Sequence, residues 1–437
     1  MPDYDVVIVG AGVAGLAALA ELDSADLRVL CIDARDRIGG RILTVHDALA
    51  PLPIELGAEF VHGRPPEILN IARSGSLALY DCADAAVHIH DGQVQRHEDA
   101  WEPVGRLMGE MRKAADHGRD KPFSAFLERS KHSALAKELS ASFVEGFNAA
   151  RKEVIGIASL AQDGRAADQI DGDRSFRLPG GYDAVPLHIF RSIPGGRSKL
   201  RLNTLLIGVE WQPESVVLHT ESAVTGHAHA ISARRAILTL PLGVLQALEP
   251  IPGSIYWKPL PGQILEAASE LAFGQVVRVV LRFTEAFWEE MSEFSDTGFF
   301  LSNEALFPTW WTPLAIRAPL LTGWSAGPHA DPLLGKPRQI VFREALASLA
   351  RILGTPVGKI ASLLEQAYFH DWHADPFARG AYSYVPAGAL RAREALAESV
   401  AETLYFAGEA TELNGHSATV HGAIASGRKA AKQILQA

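Results

Sequence analysis

The chain has 437 residues, and at ~150 residues per domain that length allows two or three domains. Apolar residues make up 48% and charged residues 21%, the balance of an ordinary folded soluble protein with room for large cores. The net charge of −10, with its basic residues scattered, argues against nucleic acid, whose binding needs a clustered positive face.

Tyr4 to Val9 reads as a buried strand, a short β-branched run closed by glycine. Ala14 to Leu22 reads as a helix and Leu27 to Ile32 as a second strand, so the opening is one βαβ unit. Glycines interrupt this apolar stretch and no basic region precedes it, so it reads neither as a signal peptide nor as a membrane anchor. Cys31 lies in an apolar run, and neither it nor Cys82 has a CxxC partner, so no disulfide framework or zinc site is implied. The expectation is a soluble, cytoplasmic protein.

From about Pro65 to Gln169 the pattern turns helical, as in Phe123 to Glu128 and Ser133 to Phe147, with no evident strand alternation. Strands return at Leu205 to Trp211, Ser215 to Thr220, Arg235 to Leu240 and Val276 to Phe283. Ile340 to Leu353 has helical spacing; Gly354 stops it, and Thr355-Pro356 caps the next helix. Leu404 to Gln433 is again strand, glycine-rich turn and helix. The two ends of the chain therefore suit one nucleotide-binding sheet.

The chemistry begins at Gly10-Ala11-Gly12-Val13-Ala14-Gly15, between the first strand and the first helix. Gly10 allows a tight turn, Gly12 lets the backbone approach a pyrophosphate, and Gly15 lets helix and strand pack closely. The helix N-terminus supplies amide donors and a positive dipole end. Asp33, at the end of the second strand, is placed to accept ribose hydroxyls. It opens the run Asp33-Ala34-Arg35-Asp36-Arg37-Ile38-Gly39-Gly40-Arg41, where the glycine pair permits close approach and Arg41 suits a phosphate. His370-Asp371-Trp372-His373 reads as extended, and with no other ligands nearby it implies no metal.

The acid, basic stretch and Gly-Gly-Arg resemble the double-glycine motif of FAD enzymes. Further blocks are similar to one family, the flavin amine oxidases, which include monoamine oxidases, polyamine oxidases and the histone lysine demethylase catalytic domain. They are Glu55 to Gly63, Leu178 to Tyr182, Ala236 to Leu245, Phe273 to Trp288, Asp375 to Ser383, Phe406 to Thr411 and Ala418 to Ala423. They run in order along essentially the whole chain. The resemblance implies an α/β architecture: a doubly wound FAD-binding domain from residues 1–75, 176–255 and 370–437, and an α+β substrate domain from residues 76–175 and 256–369, both discontinuous.

It also implies site residues. Besides the glycine loop and the segment with Ala34, Arg35, Gly40 and Arg41, FAD would meet Gly57, Ala58 and Glu59 beside its isoalloxazine. Leu205 would contact adenine through its backbone, and Trp372 would pack near the ring. Gly408 and Glu409 would serve the ribityl or phosphate region, and Thr419 and the Val420 amide the flavin pyrimidine. The cysteine that bonds flavin in monoamine oxidases is replaced by Ala381, so FAD would be non-covalent. Tyr382 resembles the tyrosine facing the flavin, Thr419 stands where a second aromatic is usual, and Trp311 or its neighbour Trp310 would supply the other wall unless both are core residues.

The activity implied is oxidation of the carbon–nitrogen bond of a small polyamine or monoamine, with molecular oxygen reduced to hydrogen peroxide and no nucleic acid or membrane as partner. His62 would tune amine protonation, or is a satisfied structural histidine. Glu59 and Glu145 are candidate partners for a cationic substrate tail, or structural carboxylates. Arg278 departs from the family, which has lysine at that position, held through water to flavin N5. Arginine there keeps a fixed cation, binds a substrate carboxylate, or is salt-bridged on its strand. The alternatives are thus an amino-acid oxidase or another flavin-dependent dehydrogenase or desaturase, and a flavin-loaded protein without turnover.

Overall fold

A computed structural model describes residues 2–83, 85–90, 93–247, 250–302 and 306–437. The last four residues of Tyr4–Val9 are buried on both faces, as a strand inside a parallel sheet requires. This strand pairs in parallel with Val29–Ile32 on one side and with the C-terminal half of Ala228–Leu238 on the other. Leu200–Arg201 extends the sheet beyond Val29–Ile32, and Leu404–Phe406 lies parallel to Ala228–Leu238. The N-terminal half of Ala228–Leu238 pairs instead with Ser215–Ser222, which continues into Thr204–Gln212 as an antiparallel meander. Segments from the start, middle and end of the chain thus share one sheet.

Helix Val13–Asp23 turns Leu16, Leu19 and Leu22 into the core, all fully buried. The last helix, Val420–Gln436, packs beside it. A Cβ on Gly427 would run into the Ala14 carbonyl, so the two helices touch through backbone where they cross. This is the doubly wound α/β layer that the glycine motifs imply.

A second sheet, with its own helices, forms a separate substrate domain. Its strand order is Leu364–Phe369, Val276–Phe283, Leu320–Ala326, Thr309–Trp311, Phe299–Leu301, Ala86–His90 and Gln93–Arg96. Helices His97–His117, Phe123–Arg129, Ala134–Phe147 and Ile157–Asp168 belong to the region read as helical. The structure corrects that reading in one place, because Tyr80–Asp81, Ala86–His90 and Gln93–Arg96 are strands. Ala86–His90 buries only Val87 and Ile89, too short an alternation to register alone, and it is held by Phe299–Leu301 far along the chain. A second correction concerns residues 370–373, which are not an extended segment: the strand ends at Phe369 and residues 372–374 form a turn. There Asp375 and Ala378 turn the chain back through hydrogen bonds to the Asp371 and Asp375 carbonyls. Among the described residues no helix is long and apolar enough to cross a membrane.

Candidate active site

The first glycine turn is built by contact distances. Gly10 has φ +105°, and a Cβ there would collide with the Thr239 hydroxyl. A Cβ on Gly15 would run into the Gly10 carbonyl, so helix and strand meet at van der Waals limit. Gly12 differs: a Cβ there would find nothing nearer than the Gly40 Cα, 4.0 Å away. The two glycine turns face each other, joined by a Gly12–Gly39 bridge and by the Gly39 amide donating to the Ala11 carbonyl at 2.9 Å. Gly12 caps the first helix with no side-chain hydrogen bond, which leaves the amide end to a ligand. An open seam between two bare backbones, beside a helix N-terminus, fits the pyrophosphate of FAD.

Asp33 is buried and raised above the usual carboxylate range by that burial. Its oxygens accept from the Ala11 amide at 2.7 Å and the Arg35 amide at 2.8 Å. The Thr204 amide donates to the Asp33 carbonyl at 2.8 Å, so Leu205 follows directly beside the acid and Ala34. The Arg35 side chain faces elsewhere. It makes a bidentate pair with Asp375 at 2.8 and 3.0 Å, over the rings of Trp372 and Phe377. Burial acts to raise Asp375, but His370 and Arg35 outweigh it and hold the carboxyl well below its ordinary value. His370 is thereby committed to Asp375, and among the described residues no three His, Cys, Asp or Glu side chains form a metal-holding group.

Glu409 is a hub. Its buried carboxylate accepts from Arg41 at 2.9 Å, the Ser383 hydroxyl at 2.6 Å and the Ala418 amide at 3.1 Å. Arg41 also donates to the Ala381 carbonyl at 2.7 Å. One carboxylate thus fixes the double-glycine turn, the Tyr382 strand and the turn before the last helix. Gly408, with φ +136° and open space where a Cβ would sit, leads into it. The Thr419 hydroxyl caps the last helix: it donates to the His416 carbonyl at 2.6 Å and accepts from the Gly422 amide at 3.0 Å. Val420 therefore opens a capped helix whose dipole end is positive.

Gly57 and Ala58 run against Arg41; the Ala58 amide donates to the Arg41 carbonyl at 3.2 Å. The Trp372 indole donates to the Leu56 carbonyl at 2.7 Å, which fastens the same segment from the other side. Arg278, in mid-strand and 4% exposed, donates to the Gly57 carbonyl at 2.8 Å and pairs with Glu59. Glu59 also takes Arg177 at 2.6 Å and the Trp311 indole at 3.1 Å. Burial raises Glu59, but Arg177 and Arg278 overcome it and leave the carboxyl lowered. This cluster, with Glu55 and Tyr80, walls a cavity of about 50 Å³. Burial lifts Glu55 to about 7, against hydrogen bonds from the Thr44 hydroxyl and the Tyr182 amide.

Aromatic rings extend this wall. Trp311 lies 5.4 Å from Phe60 and 5.8 Å from Trp324, and its ring carries the Arg278 guanidinium at 5.5 Å. Phe60 leads to His62 at 5.8 Å, and His62 to Phe147 at 5.4 Å. The Tyr382 hydroxyl donates to the Phe147 carbonyl at 2.8 Å. Burial pushes His62 down to about 4, which favours the structural reading of this histidine over the titrating one. Successive residues of a strand face opposite ways. Trp311 therefore joins the site, whereas Trp310 is fully buried in the core against Phe307. Glu145 is buried and paired with Lys152 at 3.1 Å. Sequence reasoning missed Arg177, Phe60, Phe147 and Trp324. Arg177 immediately precedes the Leu178 to Tyr182 block, and Trp324 stands opposite Arg278 in the sheet, but only the pairing of distant strands reveals either.

A dinucleotide-binding sheet whose two glycine turns face each other, joined to a second sheet bearing an aromatic wall, defines a two-domain oxidoreductase architecture. The family model described as flavin containing amine oxidoreductase matches residues 13–435, and the chain belongs to that family. It is 30% identical over 455 residues to lysine-specific histone demethylase 1 homolog 2 of Oryza sativa subsp. japonica, a match covering 99% of this chain and 57% of that protein. It is 28% identical over 461 residues to polyamine oxidase 3 of the same organism, covering 98% of this chain and 88% of that one. The chain thus spans little more than half of the demethylase homolog. Among solved structures, wild-type putrescine oxidase bound to putrescine superimposes with a TM-score of 0.81 at 22% identity, over 99% of both chains. The cyclohexylamine oxidase from Brevibacterium oxydans gives 0.81 at 22%, over 100% of this chain and 99% of the other. At that identity the likeness shows the fold alone.

Proposed function

We propose that this protein is an FAD-dependent amine oxidase that converts a small amine to an imine, reduces oxygen to hydrogen peroxide, and holds its FAD without a covalent bond. The aromatic wall of Phe60, Trp311, Trp324 and Tyr382, set beside Gly57 and Arg278, carries this reading. FAD, when bound, supplies the acceptor for a hydride equivalent from the carbon next to nitrogen. The chain's own part is to bind, orient and desolvate. The seam at Gly12 and Gly40 takes the pyrophosphate, and the N-terminus before Val420 favours negative charge. The rings exclude water, which favours the neutral amine that reacts. Arg278 keeps a permanent positive charge beside the Gly57 carbonyl, since arginine does not deprotonate.

Non-covalent attachment is supported by Ala381 and by the state of the cysteines: burial pushes Cys82 up to about 12 and Cys31 higher still. Two free thiols also fit a reducing compartment, the cytoplasm. The amino-acid oxidase reading needs Arg278 for a substrate carboxylate, and Arg278 is already engaged by Glu59 and Gly57. The test is anaerobic bleaching of the bound yellow flavin by a panel of amines and amino acids, followed by air. Bleaching by amines, with air restoring the colour and releasing peroxide, is the expected result. A flavin that no amine bleaches would remove the proposal.

A further inference from the structure

An amine arrives at neutral pH as its ammonium, whereas the form that yields a hydride equivalent is neutral. Its oxidation therefore needs an acceptor for one N–H proton, at a place that the rings keep from bulk water. Among the described residues two carboxylates, Glu55 and Glu59, line the cavity that Trp311 and Arg278 wall. Glu59 lies between Arg177 and Arg278, which hold it ionised and make it a poor base. Glu55 is held by neutral donors, the Thr44 hydroxyl on one oxygen and the Tyr182 amide on the other, both at 2.7 Å. Each of those oxygens keeps a second lone pair. Burial lifts Glu55 to about 7, where a carboxyl both takes and gives up a proton near neutral pH.

The cavity suits water. Its volume of about 50 Å³ has room for several molecules at ~10–15 Å³ each. Glu55, Glu59, Tyr80, Arg177 and Arg278 give it a polar lining, and the buried Nε of Arg278 has no hydrogen-bond partner among the described residues. Trp311 belongs both to this cavity and to the aromatic wall, where it lies 5.4 Å from Phe60. Water held here borders the space that the reading above gives to the amine.

The groups around Glu55 come from each element packed on it. Arg278, from Val276–Phe283, favours its ionised form, and Glu59, from its own segment, opposes it. Arg177 and Tyr80 face it across the cavity. Beyond Thr44 the His46–Asp183 and Asp47–Tyr368 pairs are engaged with each other.

We propose that Glu55 is the proton acceptor of amine oxidation, reached through water in the cavity it shares with Glu59 and Arg278. This rests on the amine oxidase reading above and deepens it. The ammonium gives one N–H proton through that water to the Glu55 carboxylate, which becomes a carboxylic acid. The neutral amine then loses a hydride equivalent to FAD from the carbon next to nitrogen: the C–H bond breaks, the C=N bond forms, and the iminium leaves. Reduction of oxygen to hydrogen peroxide takes that hydride equivalent and one further proton, which Glu55 returns.

The experiment is anaerobic stopped-flow reduction of the FAD-loaded protein by benzylamine, butylamine and putrescine across the pH range from weakly acid to alkaline. The wild-type efficiency is expected to rise through an acid limb and level off above about 7. Glu55→Gln keeps the shape and bonds to Thr44 and Tyr182 but takes no proton. Its efficiency at neutral pH is expected to be on the order of 100-fold lower, and to climb with the free neutral amine until the gap closes near the amine's own pKa. Independently of turnover, the infrared spectrum of the FAD-loaded protein is expected to carry a carboxylic acid band that titrates near 7 and is missing from Glu55→Gln. Should that variant fail to fold, Thr44→Val removes one hydrogen bond from the ionised carboxylate and is expected to move the acid limb up by about one pH unit. A merely structural Glu55 would leave the limb in place. An unmoved limb, a band unchanged in Glu55→Gln, or a wild-type profile that follows the free neutral amine throughout overturns the inference and leaves amine oxidation standing. No reduction of the wild type by any amine overturns both.

Discussion

Arg41 and Glu409 meet at 2.9 Å although they lie at opposite ends of the chain. The pair closes the double-glycine turn onto the strand of Tyr382 and the turn before the last helix. Removing the carboxylate strips an acceptor from Arg41, Ser383 and Ala418 together. Glu409→Ala is expected to cost about 3–5 kcal/mol, the usual penalty for breaking a buried pair from one side. Glu409→Gln, which keeps some of the bonds, is expected to cost less. Denaturant midpoints of the FAD-free proteins check the order, and a midpoint for Glu409→Ala equal to wild type would contradict the hub role.

Gly12 and Gly15, three positions apart, are expected to fail differently. Gly12→Ala adds a methyl to the open seam, so stability of the FAD-free chain stays within about 0.5 kcal/mol while bound flavin falls sharply. Gly15→Ala drives its methyl into the Gly10 carbonyl and is expected to destabilise by about 1–3 kcal/mol. The visible flavin absorbance per protein, read beside the melting temperature, separates the two effects.

Adjacent tryptophans give a second contrast. Trp310 is fully buried, and Trp310→Ala is expected to cost about 3–5 kcal/mol. Trp311→Phe keeps a ring but loses the indole bond to Glu59. It is expected to leave the fold largely intact and to slow flavin reduction by amines. Stability and single-turnover rates measured on both variants would exchange places if the strand faced the other way.

Acid sensitivity follows from two histidines. Burial pushes His62 down to about 4; burial, with His416 and His62 beside it, pushes His421 down to about 3. A histidine free in the unfolded chain titrates near ~6.5. Below that value the unfolded chain takes up protons that the folded one refuses, so stability is intact above about 6.5 and is lost as pH falls toward 4. Urea midpoints at pH 7 and pH 5 should differ, and His62→Gln should lessen the difference. The neutral-range pH profile of amine oxidation should not change with that variant.

The parts of the fold that were legible in the sequence are those carried by neighbours in the chain. The strand Tyr4–Val9, its glycine turn, Asp33 and the strand Val276–Phe283 are local patterns, and the chain order of the family blocks set the architecture. What stayed hidden depends on partners far away. Ala86–His90 is a strand because Phe299–Leu301 pairs with it. Arg278 could be read as a fixed cation, a carboxylate ligand or a structural residue until Glu59 and Gly57 were seen around it. Glu145 was a candidate for substrate until Lys152 claimed it. His62 stood open between a titrating group and a structural histidine because the chain's order says nothing of the rings that surround it.

The sheet that joins the two ends of the chain also imposes a timetable. Its innermost strand appears first during synthesis, yet Leu404–Phe406 and the helix crossing at Gly427 come last. At roughly 5–20 residues per second the ribosome needs some tens of seconds to reach them. Until then one flank of Ala228–Leu238 and the surface of the first helix lie uncovered, and Arg41 waits for Glu409. The nascent chain therefore carries an open flank of Ala228–Leu238 until Leu404–Phe406 is made, an unpaired edge of the kind that favours association with other chains.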